Sequence, residues 1–310
     1  MKHTLRHYLP VAGLLAGIAA AAILLTCLTG SVGVFAERPT AVATVYPLYV
    51  AARQVVGDTH AVQVEHFAGT ASGCLHDYQI SPADRVLLER ADLLLCNGAG
   101  AETFLDGLPL PSATVDTSVG IDLLHKEDTH AHEDHDHEGH NANEHLWTSP
   151  RRYRAQVNTV AKALAALDPQ NAAVYLSNGD RYGEQIHRIG ERLRAAADKL
   201  PSKQCVIFHD SLAYLAEDMG LEVVLALTVG EESGVSAADL SAVQRLATQY
   251  PNLLLLYDDQ YPLHYAAVDK LVPARQVLAL DAAVSGTGDP QDWLTAMEKN
   301  AALFERLAEG

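Results

Sequence analysis

Residues 91–100 read Ala91-Asp92-Leu93-Leu94-Leu95-Cys96-Asn97-Gly98-Ala99-Gly100. Four apolar residues in a row, closed by Asn-Gly, make a strand with no polar face. Such a strand is covered on both sides, as in a parallel sheet packed between helices. Upstream, Ala41 to Val45 is β-prone, and Pro47 opens a helical stretch with Leu48, Ala51, Ala52 and Val55 at helical spacing. Gly57 ends that helix, Ala61 to Phe67 alternates as a strand, and Gly69 to Leu75 reads as a loop. Ser81-Pro82-Ala83-Asp84 is an N-cap followed by proline at the first helical position. Downstream, Asn97 to Gly100 turns toward a helix near Glu102, and Thr114 to Thr117 reads as a further strand. This alternation predicts a doubly wound α/β domain.

The second half repeats the pattern. Trp147-Thr148-Ser149-Pro150 starts a helix through Leu167, and Asp168-Pro169 breaks it. From Gln170 to Leu200 the spacing stays helical, interrupted by Gly179, Gly183 and Gly190. At ~1.5 Å per residue such a helix spans ~45 Å, the length of a spine between two lobes. Strands at Gln204 to Phe208, Val223 to Leu227, Leu253 to Tyr257 and Gln276 to Leu280 follow. They alternate with helices at Leu212 to Met219, Ala237 to Tyr250, Tyr265 to Leu271 and Asp292 to Ala308. The predicted division is a targeting segment over 1–36, an N-terminal α/β lobe over 37–168, a linker helix over 169–200 and a C-terminal lobe over 201–310.

Within the N-terminal lobe lies His125 to His145, HKEDTHAHEDHDHEGHNANEH, with seven of the fifteen histidines interleaved with seven acids. Nothing in the run is large and apolar, so it belongs to no core. Imidazole favours borderline metals such as zinc, copper and nickel. His125, His130, His132, His135, His137 and His140 therefore read as a secondary, weaker metal-collecting loop. The net charge of −17 excludes nucleic acid as a partner and suits attraction of cations.

The first 36 residues have a charged start (Lys2, Arg6) and an apolar run from Pro10 to Leu28. Three fates fit: signal cleavage after Ala36, a lipobox-like Leu24-Leu25-Thr26-Cys27 with Cys27 carrying lipid, or an uncleaved membrane anchor. All three place the rest of the chain outside the cytoplasm, periplasmic or tethered at the cell surface. Cys74, Cys96 and Cys205 are too sparse for a disulfide framework, and either one pair or three thiols is compatible.

Four side chains fall just after strands or in the loops that follow them: His76, His145, His209 and Asp281. Ligands of doubly wound folds bind beyond the carboxyl ends of strands. Three imidazoles and one carboxylate compose a tetrahedral zinc site. His60, His66, His187 and His264 fit no motif and read as structural or surface residues; Trp147 and Trp293 read as core. A secreted zinc hydrolase would want His-Glu-x-x-His, but His132-Glu133 is followed by Asp136 and His137-Glu138 by Asn141. No Gly-x-Ser-x-Gly elbow occurs. Four protein ligands also leave no open position for catalytic water, so the chain reads as a binding protein rather than an enzyme. A metal-storage protein or adhesin is a further rival, marked by several zinc ions of similar affinity.

Taken together, these segments resemble the cluster A-I (cluster 9) metal-binding proteins of ABC importers, the ZnuA/TroA-like family. The resemblance runs through Thr44-Val45-Tyr46-Pro47, His76-Asp77-Tyr78 with Ser81-Pro82-Ala83-Asp84, and Leu93 to Gly98 with Glu102. It continues through Glu144-His145-Leu146-Trp147-Thr148-Ser149-Pro150, Phe208-His209-Asp210-Ser211 with Tyr214 and Gly220, and Leu278 to Asp281. It implies two Rossmann-like α/β lobes joined by one long helix, with metal held in the interlobe cleft by His76, His145, His209 and Asp281. It implies a monomer that captures Zn2+ and hands it to an integral-membrane ABC permease. Zinc members often carry a His-rich acidic loop before the second ligand, as here. A manganese or iron(II) receptor is the same-family rival, since such sites use more oxygen. The sequence departs from the family pattern at Cys74, at Glu232 to Ser236, which lacks a proline, at Asp258-Asp259-Gln260, and at Gly286-Thr287-Gly288. On this reading, deleting residues 126 to 143 leaves one tight site per chain.

Overall fold

The computed structural model describes residues 38–67, 78–125, 142–227, 235–261 and 276–309. The apolar run Leu93–Cys96 is strand β3, at the centre of a four-stranded parallel sheet with β1 (Thr40–Ala43), β2 (Gln63–His66) and β4 (Thr114–Asp116), in the order β2-β1-β3-β4. Its alternate side chains go to different cores: Leu93 and Leu95 join Ala41 and Ala43 on one face, and Leu94 and Cys96 join Val42 and Phe67 on the other. Period-two alternation with both faces apolar is why the run has no polar positions.

The second sheet comprises β5 (Gln204–Ile207), β6 (Glu222–Ala226), β7 (Leu254–Asp258) and β8 (Val277–Leu280), in the order β6-β5-β7-β8, again all parallel. The two sheets share one topology, and the fold is a two-lobe α/β architecture.

Helix α1 (Tyr46–Val56) follows β1, and α2 (Pro82–Arg90) precedes β3. Ser81 caps α2 as expected, in a reciprocal box with Asp84. The expected helix near Glu102 is only a short 3-10 turn, Thr103–Leu105. The Glu102 carboxylate is instead committed to the turn after β3, accepting from Thr44 Oγ1 (2.6 Å), Asn97 N (2.6 Å) and Gly98 N (3.1 Å). Gly98 is required there: its φ is +80°, and a Cβ would lie 1.9 Å from Asp116 Oδ1.

Helices α3 (Pro150–Leu167) and α4 (Ala172–Asp198) lie between the sheets in sequence. Their contacts pair Pro150 with Gly190, Arg154 with Gly183 and Ala161 with Gly179, so the helices run antiparallel. The glycines that interrupt the helical pattern are the positions where α3 comes closest: a Cβ at Gly179 would sit 2.7 Å from that of Ala161. The 27-residue α4 is unbroken and starts at Ala172, after a 3-10 turn over Pro169–Asn171. Helices α5 (Ala213–Met219), α6 (Ala237–Gln249) and α7 (Asp292–Glu309) complete the second half.

One core joins Leu93 and Leu95 of the first sheet, Tyr153 and Val157 of α3, Tyr182 and Ile186 of α4, Cys205 and Ile207 of the second sheet, and Trp293 and Phe304 of α7. Trp147 and Trp293 are buried in it, as expected. They also cross-link the halves: Trp293 Nε1 donates to Trp147 O, and Trp147 Nε1 donates to Ala282 O, each at 2.9 Å. The Tyr46 hydroxyl donates to Asp292 at the start of α7.

Cys96 and Cys205 are free, buried thiols in different sheets. Burial pushes the Cys205 thiol up to about 12 and Cys96 above the usual range, so both are inert. Cys74, the strand-end loop before it, the targeting segment with Cys27, Glu232 to Gly234 and the helix expected at Tyr265 to Leu271 lie outside the described residues. Among the described residues no helix is long and apolar enough to cross a membrane.

Burial is the largest influence on Glu102 and raises its carboxyl to about 7 despite the hydrogen bonds it accepts. A folded-state value above the ordinary one near 4.5 means the folded chain binds this proton more tightly than the unfolded chain. Its contribution therefore favours folding below about pH 4.5 and is lost as pH rises through 7. Relative to Glu102→Gln, the wild type should lose a few kcal/mol of stability across that window. Urea midpoints at pH 5 and pH 8 for both proteins measure it; parallel changes would refute the assignment.

Candidate metal centre

Two of the expected ligands enter the site in the same way, each on the residue before a short turn that feeds a helix. His209 follows β5 in extended backbone and precedes the 3-10 turn Asp210–Leu212 that leads into α5. His145 precedes the turn Leu146–Thr148, and Ser149 then caps α3 by accepting from Arg152 N. The rings of His145 and His209 lie 5.3 Å apart between centroids and are nearly perpendicular, at 83°. Both residues are buried, as is Asp210.

Ligand-capable atoms of His145, His209 and Asp210 all lie within 4.8 Å of one another. Donors on a tetrahedral zinc ion with bonds near ~2.0–2.1 Å stand roughly 3.3 Å apart. The groups are close enough to sit around one cation, as ligands or beside them. Their electrostatics also suit a cation, because Asp258 is buried at the end of β7, where Ser211 Oγ donates to it at 3.3 Å. Burial raises its carboxyl to about 6, against hydrogen bonds from Gln260 and the neighbouring His145, which lower it.

The chemistry of each ring turns on which nitrogen carries hydrogen. His209 Nδ1 has two partners: the Ser211 amide, which donates to it at 3.1 Å, and Asp210 Oδ1, at 3.2 Å. Accepting from Ser211 leaves the hydrogen on Nε2. Donating to Asp210 leaves Nε2 bare. The Ser211 bond is the one the structure shows, and Asp210 Oδ1 stands close enough to take the Nδ1 hydrogen when the ring offers Nε2 to a metal. Asp210 Oδ1 faces Nδ1. His209 also caps the turn by accepting from the Ser211 amide.

Asp281 is not in this cluster. It follows β8 directly, where its Oδ1 accepts from Ala283 N at 2.9 Å and its Oδ2 faces Lys299 Nζ at 3.7 Å. Its backbone N donates to Asn300 Oδ1 and its carbonyl accepts from Asn300 Nδ2, each at 2.9 Å. Burial raises its carboxyl. The next residue, Ala282, accepts the Trp147 indole, which ties this strand end to the His145 segment. His76 lies outside the described residues, as do His130, His132, His135, His137 and His140 of the His-rich run. Its stem is described: His125 bridges Ala142, and Tyr214 Oη both accepts from Leu124 N (3.0 Å) and donates to Asn143 O (2.7 Å). Of the unassigned histidines, His66 packs against Tyr49 and Tyr46, a structural role; His264 lies outside the described residues.

Two residues at the site carry little sequence signal, and a third, Tyr214, carries it only through the resemblance. Asn143 reads as one more polar residue of the His-rich run, yet it is buried against His145 and Asp210. Arg152 is a buried cation over the Tyr214 ring, 4.3 Å from its centroid, donating to Glu217 Oε2 at 2.5 Å and to the Asp122 carbonyl at 2.8 Å.

The high-affinity zinc uptake system protein ZnuA of Paracoccus denitrificans (strain Pd 1222) is 29% identical to this chain over 284 residues, covering 82% of this chain and 86% of that protein. The protein of the same name from Bacillus subtilis (strain 168) is 28% identical over 244 residues, 74% of each chain. A crystal structure of ZnuA shares the fold, with a TM-score of 0.68 at 22% identity over 88% of this chain and 99% of that one. So does FpvC from P. aeruginosa in complex with Ni2+, with a TM-score of 0.71 at 20% identity over 88% and 97%. A family model described as "Zinc-uptake complex component A periplasmic" matches residues 41–307. By that match, the chain belongs to the ZnuA family.

Proposed function

We propose that this protein captures Zn2+ outside the cytoplasm and delivers it to a membrane-embedded ABC permease for uptake. The observation that carries the reading is the buried pair of imidazoles, His145 and His209, brought together from opposite halves of the chain. The proposed ligands are His76, His145 and His209, with Asp281 as the carboxylate and Asp210 orienting His209. Nitrogen-rich ligation favours zinc over manganese or iron(II). The protein works as a binding protein, not an enzyme, and as a monomer. Residues 1–36 direct export and are cleaved, lipidated at Cys27 or retained as an anchor. Residues 37–168 and 201–310 form the lobes on either side of the linker over 169–200.

The His-rich run collects metal more weakly than the cleft, because ordering a polar loop costs entropy. Its boundary needs redrawing: Asn143 contacts His145, so a deletion reaching residue 143 would damage the site it is meant to spare. Deleting 126–141 keeps the His125–Ala142 bridge. Elemental analysis and competition titration of the full and 126–141-deleted proteins should both find one tight zinc per chain, with the weaker zinc missing from the deleted form. Loss of the tight site on deletion, or several sites of equal affinity, would overturn the proposal. Binding should weaken in acid, since protonated imidazole cannot ligate.

A further inference from the structure

Asn143 is fully used. Its backbone N donates to Leu124 O at 2.8 Å, and its carbonyl accepts from the Tyr214 hydroxyl. Its side-chain Nδ2 donates to the Asp210 carbonyl at 2.8 Å. Its Oδ1 accepts from His145 N at 3.0 Å and lies 3.0 Å from His145 Nδ1. Turning the amide over would set oxygen against the Asp210 carbonyl and NH2 against the His145 amide, so both ends fix its orientation.

That orientation decides the chemistry of His145. Oδ1 is only an acceptor, so His145 Nδ1 must carry hydrogen, and the neutral ring keeps its lone pair on Nε2. The other groups near Nδ1 are Asp210 Oδ1 at 3.7 Å and Glu144 Oε1 at 4.0 Å. Both are oxygens, and both stand beyond hydrogen-bond reach. Asn143 is the group that makes the bond. Through Nδ2 the same side chain grips the backbone of Asp210, the residue next to His209.

We propose that Asn143 is a positioning residue of the metal centre: it holds His145 in the Nδ1–H form, with Nε2 bare for a cation, and ties that ligand to the segment bearing His209. The inference rests on the reading of His145 as a zinc ligand. Partners of this kind, which fix the ring of a metal-binding histidine, change metal affinity by about 10–100-fold when removed.

The test combines zinc competition with 15N spectra of histidine-labelled, metal-free protein, the His145 signal being assigned with His145→Ala. In the wild type, His145 should carry hydrogen on Nδ1; a hydrogen on Nε2 overturns the proposal without any variant. Asn143→Leu should bind zinc about 10–100-fold more weakly and shift His145 toward the Nε2–H form. Asn143→Asp, which keeps an acceptor in place, should retain the Nδ1–H form and bind more tightly than Asn143→Leu. Unchanged affinity or unchanged tautomer in Asn143→Leu refutes the role, and equal weakness of the two variants assigns the loss to packing and refutes it as well. His145→Ala separates the two readings: if it leaves the tight site intact, the site assignment fails, whereas loss in His145→Ala with none in Asn143→Leu sinks only the inference about Asn143.

Discussion

Replacing His209 by alanine is expected to weaken the tight zinc site by about a hundredfold or more, beyond what loss of an orienting partner produces. The residue supplies one of the two buried imidazoles and cannot be replaced by water without leaving Asp210 and Asp258 buried beside a poorer ligand set. It has a second task, because its Nδ1 accepts the Ser211 amide at the start of the turn into α5. Losing a cap costs about 1 kcal/mol, which would lower stability as well as affinity. His209→Asn separates the two, since asparagine caps well but offers no imidazole. It should melt near the wild type and still bind zinc poorly by competition titration. Wild-type affinity in either variant would remove His209 from the site. Asp281→Ala and Asp210→Ala then distinguish ligation from orientation.

The largest effect on stability is expected at Trp293. Its side chain is fully buried, stacks on Tyr153 with centroids 4.5 Å apart at 27°, and donates to the Trp147 carbonyl. Trp293→Ala should cost about 3–5 kcal/mol, the transfer and cavity cost of a large core aromatic. Part of the cost comes from the Trp147 carbonyl left without its donor. Trp293→Phe keeps most of the packing and loses only the hydrogen bond, so a loss of about 1 kcal/mol is expected. Chemical denaturation of metal-free protein measures both. A loss below about 1 kcal/mol for Trp293→Ala would mean the indole is not the keystone its burial implies.

The elements were legible where one physical rule dominates. The unbroken apolar run at Leu93–Cys96 could only be a strand covered on both faces, and Ser81-Pro82 could only open a helix. Glu102 shows where propensity misleads: an acid that reads as a helix start is bound to the backbone amides of the turn after β3, and only a 3-10 turn follows. Gly179 and Gly183 show the opposite error, since positions that weaken a lone helix are the ones that let α3 approach α4. At the candidate metal centre, His145 and His209 were legible as residues after strands or in the loops that follow, and through the family resemblance, and the structure brings them together. Asn143 was not. Its role depends on the Asp210 carbonyl, 67 positions away, and no spacing rule reports a backbone acceptor. The orienting role proposed for Asp210 was hidden for a related reason, since capping and metal support call for the same residue types.

The core shared by both sheets has a consequence for folding. Leu93 and Ile207 belong to one apolar cluster, threaded by α3, α4 and α7. Melting either half strips apolar cover from the other, so the shared cluster couples the unfolding of the two halves, although each sheet keeps a smaller cluster of its own. His145 and His209 come from opposite halves, so bringing them together needs both. A cation held by both therefore stabilises the whole chain by mass action, and apparent melting temperature becomes a measure of cargo concentration.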